Sequence, residues 1–267
     1  MDNFVDKRDF DLLEADKYTF AVLRRIIDKD CEVLLSDHEK LIVCFSGDPY
    51  PVWIWTRDNA PIEDFEKAYK VAKENSILDG NHTINLKYEL AEFLINKLKN
   101  TENELIIIRN MFAYECLNPI KPIQKSDGNI HQCNFDDIEE IVEFMDLFHT
   151  ELDVDISDRD TYRENAKKRV NDKNIFFWKD NKGENVAICN YSSKENLASI
   201  GLVYTHKEYR RKHYAQNLVY EVTKYIKDLG LTPMLYTDAD YIASNSCYMK
   251  IGYELRGKLC TIGKKKG

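Results

Sequence analysis

The sequence predicts an α/β protein with two domains in a chain of 267 residues. Three observations carry that expectation. Residues 198–230, ASIGLVYTHKEYRRKHYAQNLVYEVTKYIKDLG, read as a buried strand, a basic turn and an amphipathic helix in immediate succession. Short apolar strands alternate with helix-period segments through residues 1–125, an order whose natural packing is a sheet with flanking helices. Residues 118–128, NPIKPIQKSDG, carry two prolines, a glycine and polar residues, and mark the boundary between a first domain, 1–125, and a second, 126–267.

The elements of the first domain follow in order. Tyr18–Ile27 reads as an amphipathic helix. Cys31–Leu35 and Leu41–Phe45 read as strands around the turn Ser36–Lys40. After the break at 47–51 comes an aromatic strand, Val52–Thr56. At period two, Trp53 and Trp55 share a face, which favours packing in a core over ligand stacking, although Arg57 nearby is suited to an anion. Pro61 starts a helix reaching about Glu74, Asp79-Gly80 turns the chain into a strand at Thr83–Leu86, and a helix at Tyr88–Leu98 precedes a strand at Leu105–Ile108. No catalytic motif falls in this half.

In the second domain, Ile130–Cys133 is a short strand, and Asp136–Phe148 a helix burying Ile138, Ile141, Val142, Met145 and Phe148. The loop His149–Asp158 holds Glu151, Asp153, Asp155 and Asp158, either a solvated acidic loop or a site for a cation. A helix over Arg159–Val170 leads to a hairpin, Asn174–Trp178 and Glu184–Tyr191, around the turn residues Asp180-Asn181-Lys182-Gly183. The strand Ala198–Thr205 and the basic turn follow. From Ala215, Leu218, Val219, Val222, Ile226 and Leu229 recur at helical spacing, and Gly230 stands where a helix end needs positive φ. Pro233–Thr237 is a strand, Ala243–Ile251 a short helix with Ser244 as its N-cap, and Tyr253–Ile262 closes the sheet.

Composition narrows the function. Hydrophobic content of 43% with 31% charged residues describes a globular protein. No apolar run approaches the ~20 residues that span a bilayer. The acidic start lacks the layout of a signal peptide, so the expectation is a cytoplasmic protein without a membrane partner. Seven scattered cysteines show no C-x-x-C pair and no zinc spacing, which predicts reduced thiols and no metal. The net charge of −8 argues against a nucleic-acid partner and suits a cationic one such as an amine. Lys264-Lys265-Lys266 reads as a solvated tail.

A strand, a basic turn and a helix N-terminus in succession aim backbone N–H groups at one point, which attracts phosphate. The wording of this stretch resembles the acetyl-CoA-binding motif of the GNAT superfamily of N-acetyltransferases, Q/R-x-x-G-x-G/A after a strand ending like "LVYT". Arg210 takes the first position and Ala215 the last, while His213 stands where the family has glycine. Ser244–Tyr253, SNSCYMKIGY, resembles the family's S-x-x-x-Y-x-K-x-G-F/Y helix. The family has an asparagine and a proline near Tyr241-Ile242, which this chain lacks.

The resemblance covers about residues 129–263 and implies a GNAT fold there, a mixed, mostly antiparallel central sheet flanked by helices. It implies acetyl-CoA as cosubstrate, with backbone N–H groups of Arg211, Lys212, His213, Tyr214 and Ala215 on the pyrophosphate and charge added by Arg210, Arg211 and Lys212. Val203, Tyr204 and Thr205 would pair with the pantetheine arm through their main chain, and Asn245 would hydrogen-bond that arm. Tyr248 matches the general acid that protonates the departing thiolate. His213, with its Cβ, either fits an unstrained variant of the turn or carries a cost of order ~1 kcal/mol. No residue identifies itself as the general base.

The function implied is acetyl transfer to a primary amine of a small molecule or peptide, with room for a homodimer. The alternative is a catalytically silent acyl-CoA-binding or regulatory module, and transfer of another acyl group is a third reading. Residues 1–125 read as a degenerate GNAT-like half without the phosphate turn, or as an unrelated α/β cap.

Overall fold

The computed structural model describes residues 1–153 and 156–265. It divides into two compact units, Met1–Ala113 with Thr237–Tyr241 and Leu255–Gly267, and Tyr114–Tyr236 with Ile242–Glu254. The proline-bearing segment 118–128 thus lies inside the second unit. The last strand belongs to the first, because β11 (Glu254–Lys264) pairs antiparallel with β4 (Ile84–Leu86).

In the first unit, α1 (Lys7–Leu12) is held by a capping box between Asp6 and Asp9. The predicted helix over 18–27 shrinks to α2 (Ala21–Ile26), since Phe20 at its N-cap offers no side-chain acceptor. β1 (Val33–Ser36) and β2 (Leu41–Phe45) form the expected hairpin, whose turn is closed by Asp37 accepting N–H bonds from Glu39, Lys40 and Leu41. β3 (Val52–Thr56), α3 (Ile62–Glu74) and α4 (Tyr88–Leu98) fall where their patterns place them. β5 (Leu105–Glu115) runs well beyond its predicted end. The strand order is β1-β2-β3-β4-β11-β5, with β3 and β4 parallel.

Both tryptophans of β3 are buried, as period two predicts. Trp55 Nε1 donates to Asp16 at 2.7 Å, a carboxylate that also takes Lys87 Nζ at 2.6 Å, and Trp53 meets the edge of Phe20 at 6.0 Å. Arg57 pairs with Asp64 at 2.9 Å, inside its own unit.

In the second unit the order is β10 (Thr232–Asp238), β9 (Leu197–Thr205), β8 (Asn185–Lys194), β7 (Ile175–Lys179), β6 (Asn129–Gln132). Only β9 and β10 are parallel; the other pairs are antiparallel, which is the mixed sheet expected. Helices cover both faces. α5 (Ile138–Leu152) and α6 (Arg159–Asn171) close a core with Ile175, Phe177, Ile188, Leu202 and Tyr204. α7 (Tyr214–Asp228) takes the opposite face: Phe177 meets Phe144 of α5 at 5.2 Å, and its neighbour Phe176 meets Tyr225 of α7 at 5.3 Å. α8 (Ile242–Ile251) packs beside α7.

Candidate active site

β9 is built to leave an edge open. Its register with β8 shifts between Ile188 and Asn190, and Leu202 takes φ +50°, a bulge with one extra residue on β9. Its pairing with β10 covers only Leu197–Ile200 against Thr232–Leu235. Beyond Ile200 the two parallel strands part, so the backbone of Val203, Tyr204 and Thr205 offers an edge on the β10 side. Alternation sends Leu202 and Tyr204 into the α5 core and leaves Val203 and Thr205 half-buried.

The basic turn follows at the end of this strand. Lys207–Tyr209 form one 3-10 turn, Arg210 is extended, and Arg211 and His213 both take left-handed φ, +63° and +64°. His213 therefore does what glycine would do; histidine is among the residues that tolerate this region, at roughly 1 kcal/mol. Among the described residues, the backbone N–H groups of Arg211 through Gln216 donate to no protein acceptor; the first turn-to-helix bond is Asn217 N to His213 O at 3.1 Å. Left-handed residues interleaved with such donors, at the start of a 15-residue helix, are an arrangement whose chemistry suits an anion.

The side chains divide differently from the sequence expectation. Arg210 turns back: Nε donates to Thr205 O at 3.0 Å, Nη2 to Glu151 at 2.7 Å, and its guanidinium lies 5.3 Å from the Tyr204 ring centre. Its charge is spent on Glu151 rather than offered to an anion. Glu151 also accepts from Tyr204 Oη at 3.3 Å and faces Lys207 Nζ at 3.8 Å. The Arg210 hydrogen bond holds the Glu151 carboxyl below its ordinary range, and burial, with Glu151 nearby, raises the Tyr204 phenol. Lys212 Nζ rests 5.1 Å from the Tyr209 ring centre, and Arg211 and His213 are exposed.

Glu151 is thus no member of a solvated loop. α5 continues through Leu152, Asp153 ends it in the left-handed region, and Asp158 caps α6 through Thr161 N at 2.8 Å. Asp155 and Lys266 lie outside the described residues.

Tyr214 is buried, and its hydroxyl donates to Asp127; burial first, then Asp127, pushes the phenol up to about 12. The segment carrying Asp127 has the composition of a linker, yet it clasps the turn. Ser126 Oγ donates to Lys212 O at 3.0 Å, Trp178 Nε1 to Asp127 O at 2.7 Å, and Asn217 Nδ2 bridges Gln124 O and His213 O, both at 3.0 Å. One signal was present in the sequence: Asn217, polar, sits beside Leu218 on the face that α7 buries.

α8 begins at Ile242, two residues before the predicted cap Ser244, which lies inside the helix. The preceding turn is closed by Tyr241 N on Asp238 O at 3.2 Å, so the chain enters the helix early. Asn245 is buried, and its Oδ1 accepts from Tyr114 Oη at 3.1 Å. Tyr248 is also buried, its ring edge-on to Tyr253 at 6.0 Å.

All seven cysteines are free. Burial pushes Cys116 and Cys247 up to about 11 and Cys260 up to about 12. Thiols so raised are poor nucleophiles. In the first unit, Asp6, Asp9 and His38 could present ligand atoms to a cation, all within 4.8 Å. They partner one another instead: His38 bonds Asp9 at 2.8 Å and Asp2 at 3.1 Å, pinning the residues before α1 to the β1–β2 turn.

Residues 139–253 match the model of the acetyltransferase (GNAT) family. That segment is a GNAT-family domain. Solved structures share its fold across most of the chain. A GCN5-related N-acetyltransferase from Sphaerobacter thermophilus superposes with a TM-score of 0.67 at 13% identity, covering 96% of this chain and 91% of that one. A GNAT-family acetyltransferase from Colwellia psychrerythraea gives 0.59 at 13% identity, over 85% and 81%. A GCN5-related N-acetyltransferase from Kribbella flavida gives 0.57 at 15%, over 95% and 96%. No curated protein matches the sequence.

Proposed function

We propose that the second unit binds acetyl-CoA and transfers its acetyl group to a primary amine. The observation that carries this reading is the run of unpartnered N–H groups from Arg211 through Gln216 at the head of α7. A pyrophosphate there gains backbone donors and the helix dipole. The parted edge of β9 begins a few residues upstream and is suited to strand-like pairing with the amide groups of the pantetheine arm. His213, in the conformation a glycine would take, leaves the turn open, as donor binding needs in an enzyme and in a silent acyl-CoA-binding module alike; the chemical step separates the two.

In the reaction the amine nitrogen attacks the thioester carbonyl, the C–S bond breaks, and the thiolate leaves. Tyr248 Oη donates its proton to that sulfur; a phenol of ordinary pKa ~10 protonates a thiolate of pKa ~8.5 at little cost. The nitrogen's surplus proton departs to water, from which the Tyr248 phenolate regains its own. The raised cysteines disfavour an acyl-cysteine intermediate, so direct transfer is the simpler route. Asn245, held by Tyr114, supports the helix that carries Tyr248 rather than reaching for the arm.

Calorimetric titration with acetyl-CoA tests the binding step: saturable binding is expected, and its absence overturns the reading. For the chemical step, Tyr248→Phe is expected to lower kcat on the order of 10²-fold with the donor Kd unchanged. Unchanged turnover would remove Tyr248 as the acid.

A further inference from the structure

We infer that Asn217 and Ser126 are positioning residues for the donor's pyrophosphate, acting through the carbonyls of the basic turn. The inference rests on the donor-site reading above and deepens it. An N–H group can aim at an anion only if the peptide plane that carries it is fixed. In this turn the carbonyls are fixed from behind. Ser126 Oγ holds Lys212 O at 3.0 Å, and Asn217 Nδ2 holds His213 O at 3.0 Å. Those carbonyls share peptide planes with the N–H groups of His213 and Tyr214, so anchoring the oxygens orients these two donors the other way.

The anchors are themselves tied together. Asn217 is buried, and its amide nitrogen also contacts Ser126 Oγ at 3.2 Å and Gln124 O at 3.0 Å. The strap that supplies them is fastened at both sides. Asp127 accepts from Tyr214 Oη, and its carbonyl accepts from Trp178 Nε1 at 2.7 Å. Gly128 N donates to Asn181 Oδ1 at 3.1 Å, and Gly128 takes φ +78° where an added Cβ would lie 1.8 Å from Lys179 O. Earlier in the strap, Ile120 N donates to Ile251 O at 2.7 Å. None of these side chains reaches the open N–H face, so none is a catalytic residue. With His213 in place of glycine, the turn has a left-handed residue carrying a Cβ, and this external clasp is what keeps it there.

The test compares two ligands that differ in phosphate. Kd is measured for CoA by calorimetry and for pantetheine, which has no phosphate, by ligand-observed NMR, on the parent protein, Asn217→Ala and Ser126→Ala. Asn217→Ala is expected to weaken CoA about tenfold and Ser126→Ala about threefold, the scale of losing one or two oriented hydrogen bonds. Pantetheine is expected to bind all three alike. A merely structural strap would shift both ligands together or neither, and either result overturns the inference. If Asn217→Ala does not fold, Ser126→Ala at the half-buried strap decides it by the same comparison. A parent protein that binds no CoA overturns the donor-site reading itself, and this inference with it; binding by the parent with unaltered variants overturns the inference alone.

Discussion

Arg210 shows how far a residue's role depends on its partner. As a cation in a basic turn it is suited to phosphate, but Glu151 and the Thr205 carbonyl claim its donors. The pair ties the end of α5 to the start of the turn. Its pH dependence has a defined sign. The Glu151 carboxyl is lowered in the folded state, so its contribution is fully present above the unfolded value of about 4.3 and is lost as pH falls through the folded one. The melting temperature of Glu151→Gln is expected to lie below that of the parent at pH 7. That gap should close as pH falls through the lowered folded value, where the parent's carboxylate becomes protonated too. A gap that persists in acid would mean the side chain acts by packing. Glu151 itself was visible in the sequence among acidic neighbours; its partner was not, because the two lie 59 residues apart.

Elements were largely legible where a single period governs them. α3, α4 and α7 sit on their patterns, since apolar residues at 3.6 spacing have only one way to face a core, and β2 and β3 are short apolar runs buried along their whole length. Ends were less legible. α5 outruns its predicted end by a turn, and α8 starts early, because ends depend on capping partners brought by the fold. The bulge in β9 left a hint in Gly201, but the parting of β9 from β10 is a matter of strand register. The strap is the largest misreading at this scale: prolines and polar residues signal a linker by composition, while its hydrogen bonds make it part of the second unit. Gly128→Ala is expected to cost at least about 1 kcal/mol, from positive φ and the collision with Lys179 O, read as a lower urea midpoint. A neutral result would show that the strap yields easily.

At the scale of the whole molecule, the first unit repeats a strand–helix–parallel-strand arrangement, β3–α3–β4, of the kind that β9–α7–β10 forms in the second. Its turn differs in chemistry. α3 is entered through Pro61 and carries Glu63 and Asp64 in its first turn, where acidic groups repel an anion. The head of α3 is therefore no counterpart of the basic turn that precedes α7. No helix among the described residues is long and apolar enough to cross a membrane. With every cysteine free, denatured protein is expected to titrate seven thiols, and reductant to leave the melting temperature unchanged. In the native protein Cys247, half-buried and raised to about 11, should react ahead of Cys260, which is buried and raised to about 12. A fall in melting temperature with reductant would reveal a disulfide.

The sequence by itself determined the α/β class, the family of the second half, the basic turn and the two helices around it, because local period and a short contiguous motif carry that information. Tertiary structure alone decided which donors stay open, that Arg210 faces Glu151, that Asn245 is buried against Tyr114, and that residues 124–128 hold the turn. Each of these is a hydrogen bond between residues far apart in the chain, and the geometry of such a bond exists only once the elements have packed.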